Sequence, residues 1–301
     1  MNTDDPTTYA IGYELDAVAA RTEHSIVFIA EQRTTGRRVA MKLAHDSHGA
    51  DALRREIQVL RGLQHPHIVP LVEATATGDP WLVMPLAVTS LEDAVATHGA
   101  FAVDEILGVV LAVASALQVV HRHRLVHADV KPANILVEAD GRPLLADFGA
   151  AHPIGAPPTH FTPTYFVDDG IEGDVAALAR CGLHMLGDTS GARPDQLRAV
   201  LREFARLGDR SETFIEAVAT LGGDPHWPTA IEAPATAVEG PPTQPFGPRP
   251  PRESVVVTSR PCRGPRRIVA VLAAAVVLVG ALHLARDRVA PPESAVVLAE
   301  R

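Results

Sequence analysis

Early in the chain, apolar and polar residues alternate with a period of two. On that pattern SIVFIAEQ (25–32), RRVAMKLA (37–44) and PWLVMPLA (80–87) read as β-strands. Between the last two lies DALRREIQVLRGL (51–63), where Leu53, Ile57 and Leu60 recur three or four residues apart, the spacing of an amphipathic helix. Further on the helical period takes over, and VDEILGVVLAVASALQVVHRH (103–123), DVAALARCGLHML (174–186) and PDQLRAVLREFARL (194–207) each predict a helix. A strand-rich part that gives way to a helical one predicts two lobes, an α+β globular region over residues 9–222.

The periodicity then stops. Residues 223–267 fill with Pro, Thr and Gly, densest in EGPPTQPFGPRPPR. They hold too little apolar surface to bury, which predicts an extended, partly polyproline linker. Residues 268–285, IVAVLAAAVVLVGALHLA, carry no formal charge over 18 positions. A helix of that length spans roughly 27 Å, about the thickness of a bilayer's hydrocarbon core. Arg260, Arg263, Arg266 and Arg267 precede it and Arg286 and Arg288 follow, a bias that places the preceding chain inside. The expectation is one transmembrane helix over 268–285, a lipid bilayer as partner, and a short extracytoplasmic tail over 286–301. MNTDDPTTYA at the N-terminus is polar and acidic, unlike a secretory signal.

Composition narrows the function. A formal net charge of −9 argues against nucleic acid as a partner held by overall positive charge. Cys181 and Cys262 lie far apart and form no CxxC pair, so neither a disulfide framework nor a zinc site is indicated. That suits a reducing cytoplasm for the globular region. With aromatics at 4% and hydrophobic residues at 47%, the core must be built mostly of Ala, Val and Leu.

Candidate chemistry sits in four places. Residues 126–137 read VHADVKPANILV, the pattern H-x-D-x-K-x-x-x-N. Residues 40–42 (AMK) lie on a predicted strand, and Glu56 follows on the amphipathic helix. Asp147-Phe148-Gly149 comes 18 residues after Asp129. Each alone is a weak signal, because Lys, Asp and Glu usually belong to solvated surface. Together, in this order and spacing, they resemble a compact, divergent member of the bacterial Ser/Thr protein kinases, most like those of actinobacteria. HPHIV (65–69) and Thr162-Pro163-Thr164-Tyr165 agree with that resemblance.

The resemblance implies a bilobal kinase fold over 9–222, with a small β-rich N-lobe and a helical C-lobe. It implies that Asp129 lies near the attacking hydroxyl and that Lys131 faces the γ-phosphate. Lys42 would hold the α- and β-phosphates of ATP, with Glu56 aiming its ammonium. Asn134 and Asp147 would supply oxygen ligands to Mg²⁺ or Mn²⁺. Val27 and Ala40 would lie above the adenine and Leu136 beneath it. Met84 would stand at the back of the pocket, with the Pro85 carbonyl and the Ala87 N–H facing the base edge. Leu60, Leu71, His127 and Phe148 would stack into a spine with Asp174 at its base.

Four departures accompany the resemblance. Where three glycines belong in the phosphate-covering loop, the chain has Ala20-Arg21-Thr22-Glu23-His24-Ser25. Glycine suits that loop because, lacking Cβ, it lets backbone N–H groups approach phosphates; the loop is therefore expected to close less tightly, and ATP to bind weakly or turn over slowly. Ala128 replaces an arginine that would read a phosphate on the activation loop. Val167-Asp168-Asp169 replaces A-P-E, with Arg210 as the expected buried partner of Asp169. Little chain separates Leu186 from the helix near Pro194, where a substrate-docking helix belongs. Two functions therefore stand open. One is a membrane-anchored Ser/Thr kinase acting on cytoplasmic proteins and on itself through self-association. The other is a pseudokinase that binds nucleotide or acts as a scaffold.

Overall fold

In the computed structural model the described residues are 12–156, 170–207 and 209–228. All lie in one compact unit spanning residues 1–248. The linker from 229 onward, the segment 268–285 and the tail fall outside the described residues, as do Thr162-Pro163-Thr164-Tyr165 and Val167-Asp168-Asp169.

The N-lobe is a five-stranded antiparallel sheet of β1 (Tyr13–Arg21), β2 (Ser25–Gln32), β3 (Arg37–Ala44), β4 (Glu73–Thr75) and β5 (Trp81–Pro85), in the spatial order β1-β2-β3-β5-β4. Alternation sorts its side chains onto two faces. Tyr13, Ala30, Val39, Met41 and Val83 pack together on one face. Ala40, Leu82 and Met84 belong instead to the main core. Against that second face lies α1 (Ser47–Gly62), which buries Gly49, Leu53, Glu56, Ile57 and Leu60 along one stripe. Asp46 starts the helix: its carboxylate accepts the Gly49 N–H at 2.7 Å, satisfying one of the first-turn donors.

The segment between α1 and β4 bonds to a hairpin of the C-lobe. Val69 N donates to the Leu145 carbonyl and Leu145 N to the His67 carbonyl, each at 2.9 Å. Short strands β6 (Thr89–Ser90), β8 (Ile135–Val137) and β9 (Pro143–Leu145) form a three-stranded sheet ordered β6-β8-β9. β7 (Leu125–Val126) pairs with β10 (His152–Pro153). The helices of the C-lobe are α2 (Leu91–His98), α3 (Val103–Arg122), α4 (Ile171–Leu186), α5 (Ala192–Leu207) and α6 (Ser211–Ala219).

Helix α3 is apolar nearly all round, which befits a helix covered on every side. Among the described residues it alone is long and apolar enough to cross a membrane. Here it is the central core helix, with Ile106, Leu107, Val110, Val113, Leu117 and Val120 buried against the rest of the lobe. Helices α4 and α5 follow each other closely, as the short spacing after Leu186 required. Arg210 differs from expectation. It is exposed, because it occupies the N-cap of α6 at the helix rim rather than the interior.

Packed structure also continues past 222. The Asp224 N–H donates to Asp104 at 3.2 Å, the His226 N–H to the Asp104 carbonyl at 3.3 Å, and Trp227 sets its ring edge-on against His67 with centroids 5.4 Å apart.

Candidate active site

The site is assembled from two neighbouring clusters. In the first, β3 carries Lys42, α1 carries Glu56, and the turn after β9 carries Asp147. Lys42 Nζ donates to Glu56 Oε2 and to Asp147 Oδ1, each at 2.8 Å. Lys42 and Glu56 are buried, while the Asp147 side chain is one-third exposed.

Burial works against the charge of Lys42, yet Asp147 and Glu56 together outweigh it and hold the ammonium well above its ordinary pKa. Burial likewise opposes ionisation of Asp147, and the nearby ammonium overcomes it, pulling the carboxyl down to about 2. Glu56 is pushed up, first by its own burial, with Lys42 acting against the shift. One cation facing two carboxylates leaves an excess negative charge at the cleft, which favours a bound cation.

In the second cluster Asp129 and Lys131 sit on the loop after β7, and Asn134 ends a short 3₁₀ turn, Pro132–Asn134. Lys131 Nζ donates to Asp129 Oδ2 at 2.8 Å. Asn134 donates its amide to the Asp129 carbonyl at 2.8 Å and to Asp129 Oδ2 at 2.9 Å. Both amide hydrogens are thereby engaged, which leaves the carbonyl oxygen as the ligand atom for a hard cation. The clusters are locked together through the β8–β9 hairpin: Ala146 N donates to the Asn134 carbonyl at 2.9 Å, and the Ala146 carbonyl lies 3.1 Å from His127 Nε2.

Beneath the loop, His127 meets Phe148 edge-on with ring centroids 4.6 Å apart. Leu60 is buried in the same core and Leu71 packs against it. Asp174, on the first turn of α4, accepts the His127 N–H at 2.8 Å and the Ala128 N–H at 2.9 Å. Those contacts hold Ala128 at φ 65° and support the loop from below. The stacked spine expected of Leu60, Leu71, His127 and Phe148 is consistent with this arrangement.

The residues expected to line the adenine also lie near one another. Ala40 pairs with Met84 across β3 and β5, and Val27 pairs with Lys42 across β2 and β3. Val27 and Leu136 pack against the core cluster that holds Ala40 and Met84. Pro85 ends β5, and Ala87 follows in the connection toward β6. Among the described residues no acceptor takes the Ala87 N–H, whereas the neighbouring Val88 N–H is spent on the Val137 carbonyl at 2.9 Å.

The turn between β1 and β2 is closed on itself by its own side chains. Thr22 N donates to the Ser25 carbonyl at 2.9 Å, Ser25 N to Thr22 Oγ1 at 3.0 Å, and the two hydroxyls lie 2.9 Å apart. Side-chain hydroxyls close the turn where glycine would have relied on backbone freedom alone.

Three supporting contacts escaped sequence reasoning because their partners are remote in the chain. His121 Nε2 lies 3.0 Å from Asp174 Oδ2 under the catalytic loop. Arg55 Nε donates to the Gly149 carbonyl at 3.3 Å. His24 Nδ1 lies 2.7 Å from Asp46 Oδ2. Arg55 and His121, half-buried on α1 and α3, carried the only available hint, and His24 and Asp46 carried none.

Comparison with known proteins agrees with this geometry. Residues 21–168 match the family model described as protein kinase domain. The chain is 34% identical over 163 residues to the probable serine/threonine-protein kinase PknB of Corynebacterium glutamicum, covering 50% of this chain and 25% of that protein. It is 34% identical over 151 residues to the serine/threonine-protein kinase PknK of Mycobacterium tuberculosis, covering 48% and 14%. The DNA damage-responsive serine/threonine-protein kinase RqkA of Deinococcus radiodurans shares 30% identity over 203 residues, 60% of this chain and 30% of that kinase. The chain thus spans less than a third of the length of these bacterial relatives.

Proposed function

We propose that this chain is a Ser/Thr protein kinase that transfers the γ-phosphate of ATP to hydroxyls on cytoplasmic proteins and on other copies of itself. The observation that carries this reading is the pair of linked clusters, Lys42–Glu56–Asp147 and Asp129–Lys131–Asn134. Lys42, its charge held by two carboxylates, binds the α- and β-phosphates. Val27, Ala40, Met84 and Leu136 enclose the adenine, and the Pro85 carbonyl and Ala87 N–H face its edge. Asp129 orients the substrate hydroxyl and accepts its proton as the oxygen attacks phosphorus, while Lys131 faces the charge that develops on the transferred group. Asn134 and Asp147 would hold Mg²⁺ or Mn²⁺ through oxygen ligands, and the ion would supply positive charge to the phosphates.

The test is incubation of the full chain with labelled ATP and Mg²⁺ or Mn²⁺. Incorporation into Ser or Thr is expected, and Asp129→Asn and Lys42→Met are expected to abolish it. A folded protein that binds nucleotide without incorporation, with any substrate offered, supports the second reading, a pseudokinase. Glu23 in the phosphate-covering turn, where it repels a triphosphate, is the observation that favours that alternative.

The uncharged run 268–285, bracketed by arginines, supports single-pass anchoring with the kinase domain in the cytoplasm. Topology reporters fused after residue 260 and at the C-terminus test it. Opposite sides are expected, and two cytoplasmic signals would refute it.

A further inference from the structure

We propose that His24 and Asp46 are positioning residues that clasp the phosphate-covering turn to the helix carrying Glu56, so that the two move as one body. The proposal rests on the kinase reading above for its consequence but not for its geometry.

The clasp is built from both ends of a short segment. β2 and β3 pair from Ser25↔Ala44 onward, and the ladder is extended into the turn by the His45 N–H, which donates to the His24 carbonyl at 3.1 Å. Helix α1 begins almost at once, at Ser47, so its first turn lies directly against the turn between β1 and β2. A Cβ on Gly49 would lie 2.0 Å from the His24 carbonyl oxygen, so only glycine permits that approach. Asp46 then performs two tasks with its two oxygens. Oδ1 accepts the Gly49 N–H at 2.7 Å and caps the helix, while Oδ2 lies 2.7 Å from His24 Nδ1. Two turns further along the same helix, Glu56 meets Lys42.

The electrostatics favour the clasp. Hydrogen bonding to Asp46 raises the His24 pKa. The Gly49 amide first, and His24 second, lower that of Asp46. The other titratable groups facing the pair are Glu23, whose Oε2 lies 3.9 Å from His24 Nε2, His45, whose Nδ1 lies 3.9 Å from Asp46 Oδ2, and His48, whose ring centroid is 5.7 Å from that of His24. Glu23 adds to the attraction for a charged His24, and the two other histidines oppose it when protonated.

A turn without glycines cannot mould itself around a triphosphate by backbone freedom. In this protein its place is set instead by the clasp, so the loss of the glycines and the presence of His24 at the tip belong together. Loosening the clasp is expected to weaken nucleotide binding while leaving the chemical step alone, because neither residue touches the reacting atoms.

The experiment uses the full chain with His24→Ala, His24→Asn, Asp46→Ser and the double variant His24→Ala/Asp46→Ser. Serine keeps the helix cap but does not reach His24, and asparagine places an N–H near the position of Nδ1. Expected are a rise in the KM for ATP of about threefold in each of His24→Ala and Asp46→Ser, with kcat nearly unchanged. The double variant should be no worse than either single one, and His24→Asn should be close to the parent. Hydrogen exchange without nucleotide provides the readout independent of catalysis: amides 22–25 and 45–50 should exchange faster together in both single variants. Unchanged exchange in His24→Ala, or KM effects that simply add in the double variant, would overturn the clasp. Faster exchange in a chain that shows no phosphate transfer would leave the clasp standing and refute the kinase reading alone.

Discussion

Asp174→Asn perturbs the catalytic loop without touching the cleft. The Asp174 carboxylate is 2% exposed and takes three donors, the backbone N–H of His127, the backbone N–H of Ala128 and His121 Nε2. The first and third converge on Oδ2 and the second on Oδ1. An asparagine that turns its oxygen toward the His127 pair presents its own NH₂ to the Ala128 N–H, donor against donor. A buried donor left unpaired costs about 1–3 kcal/mol, and exchanging charge-assisted bonds for neutral ones adds roughly 1 kcal/mol. The sum is about 2–4 kcal/mol, which in a domain of this size lowers Tm by about 4–16 °C. Calorimetry of the full chain reads the transition, and the labelled-phosphate assay reads the rate, which is expected to fall because Ala128 and Asp129 lose their support. A Tm within about 2 °C of the parent together with an unaltered rate would refute the reasoning, since it would mean that the loop holds its φ 65° backbone at Ala128 without the carboxylate.

Two further outcomes follow from the same structure. The folded-state pKa of Asp147, about 2, lies below its ordinary value of 3.8, so its contribution to stability is present above the ordinary value and is lost as pH falls toward the folded one. In Lys42→Met the ammonium that holds this pKa down is gone and burial pushes it up, so the acid-side loss is expected to shrink or reverse; Tm curves for parent and variant that stay parallel as pH falls from about 6 to about 3 would sink the assignment. Gly108→Ala places a Cβ 2.2 Å from the His226 carbonyl oxygen, so residues 224–228 are expected to lift from α3. In a Trp81→Phe background the emission of Trp227 should then shift to the red, and an unchanged spectrum would show that the segment accommodates the methyl group.

Much of this protein is legible in its sequence, because local periodicity and chemical necessity are both written locally. β2 and β3 match SIVFIAEQ and RRVAMKLA end to end, since each strand is flanked on both sides by other strands and its alternation is enforced. Helix α3 is equally plain. Lys42, Glu56, Asp129, Asn134 and Asp147 stand out because, on the proposed kinase reading, phosphoryl transfer accepts few substitutes for those side chains. β1 is less legible: YELDAVAAR is an edge strand, mostly exposed, with one partner and two irregularities of register. No apolar alternation is demanded of such a strand.

Tertiary structure alone decided what the polar residues outside the motifs do. His24, Asp46 and His121 read in the sequence as ordinary charged or polar positions, and their roles depend on partners 22 to 53 residues away. The same holds for residues 223–228, which carry too little apolar surface to predict packing. They nonetheless lie along α3, where Gly108 lets the backbone approach and Asp104 accepts the amides. A hydrogen bond between distant residues has no period along the chain. It becomes visible only when the fold has closed the loop between its partners, and that closure is determined by the burial of the apolar residues around them.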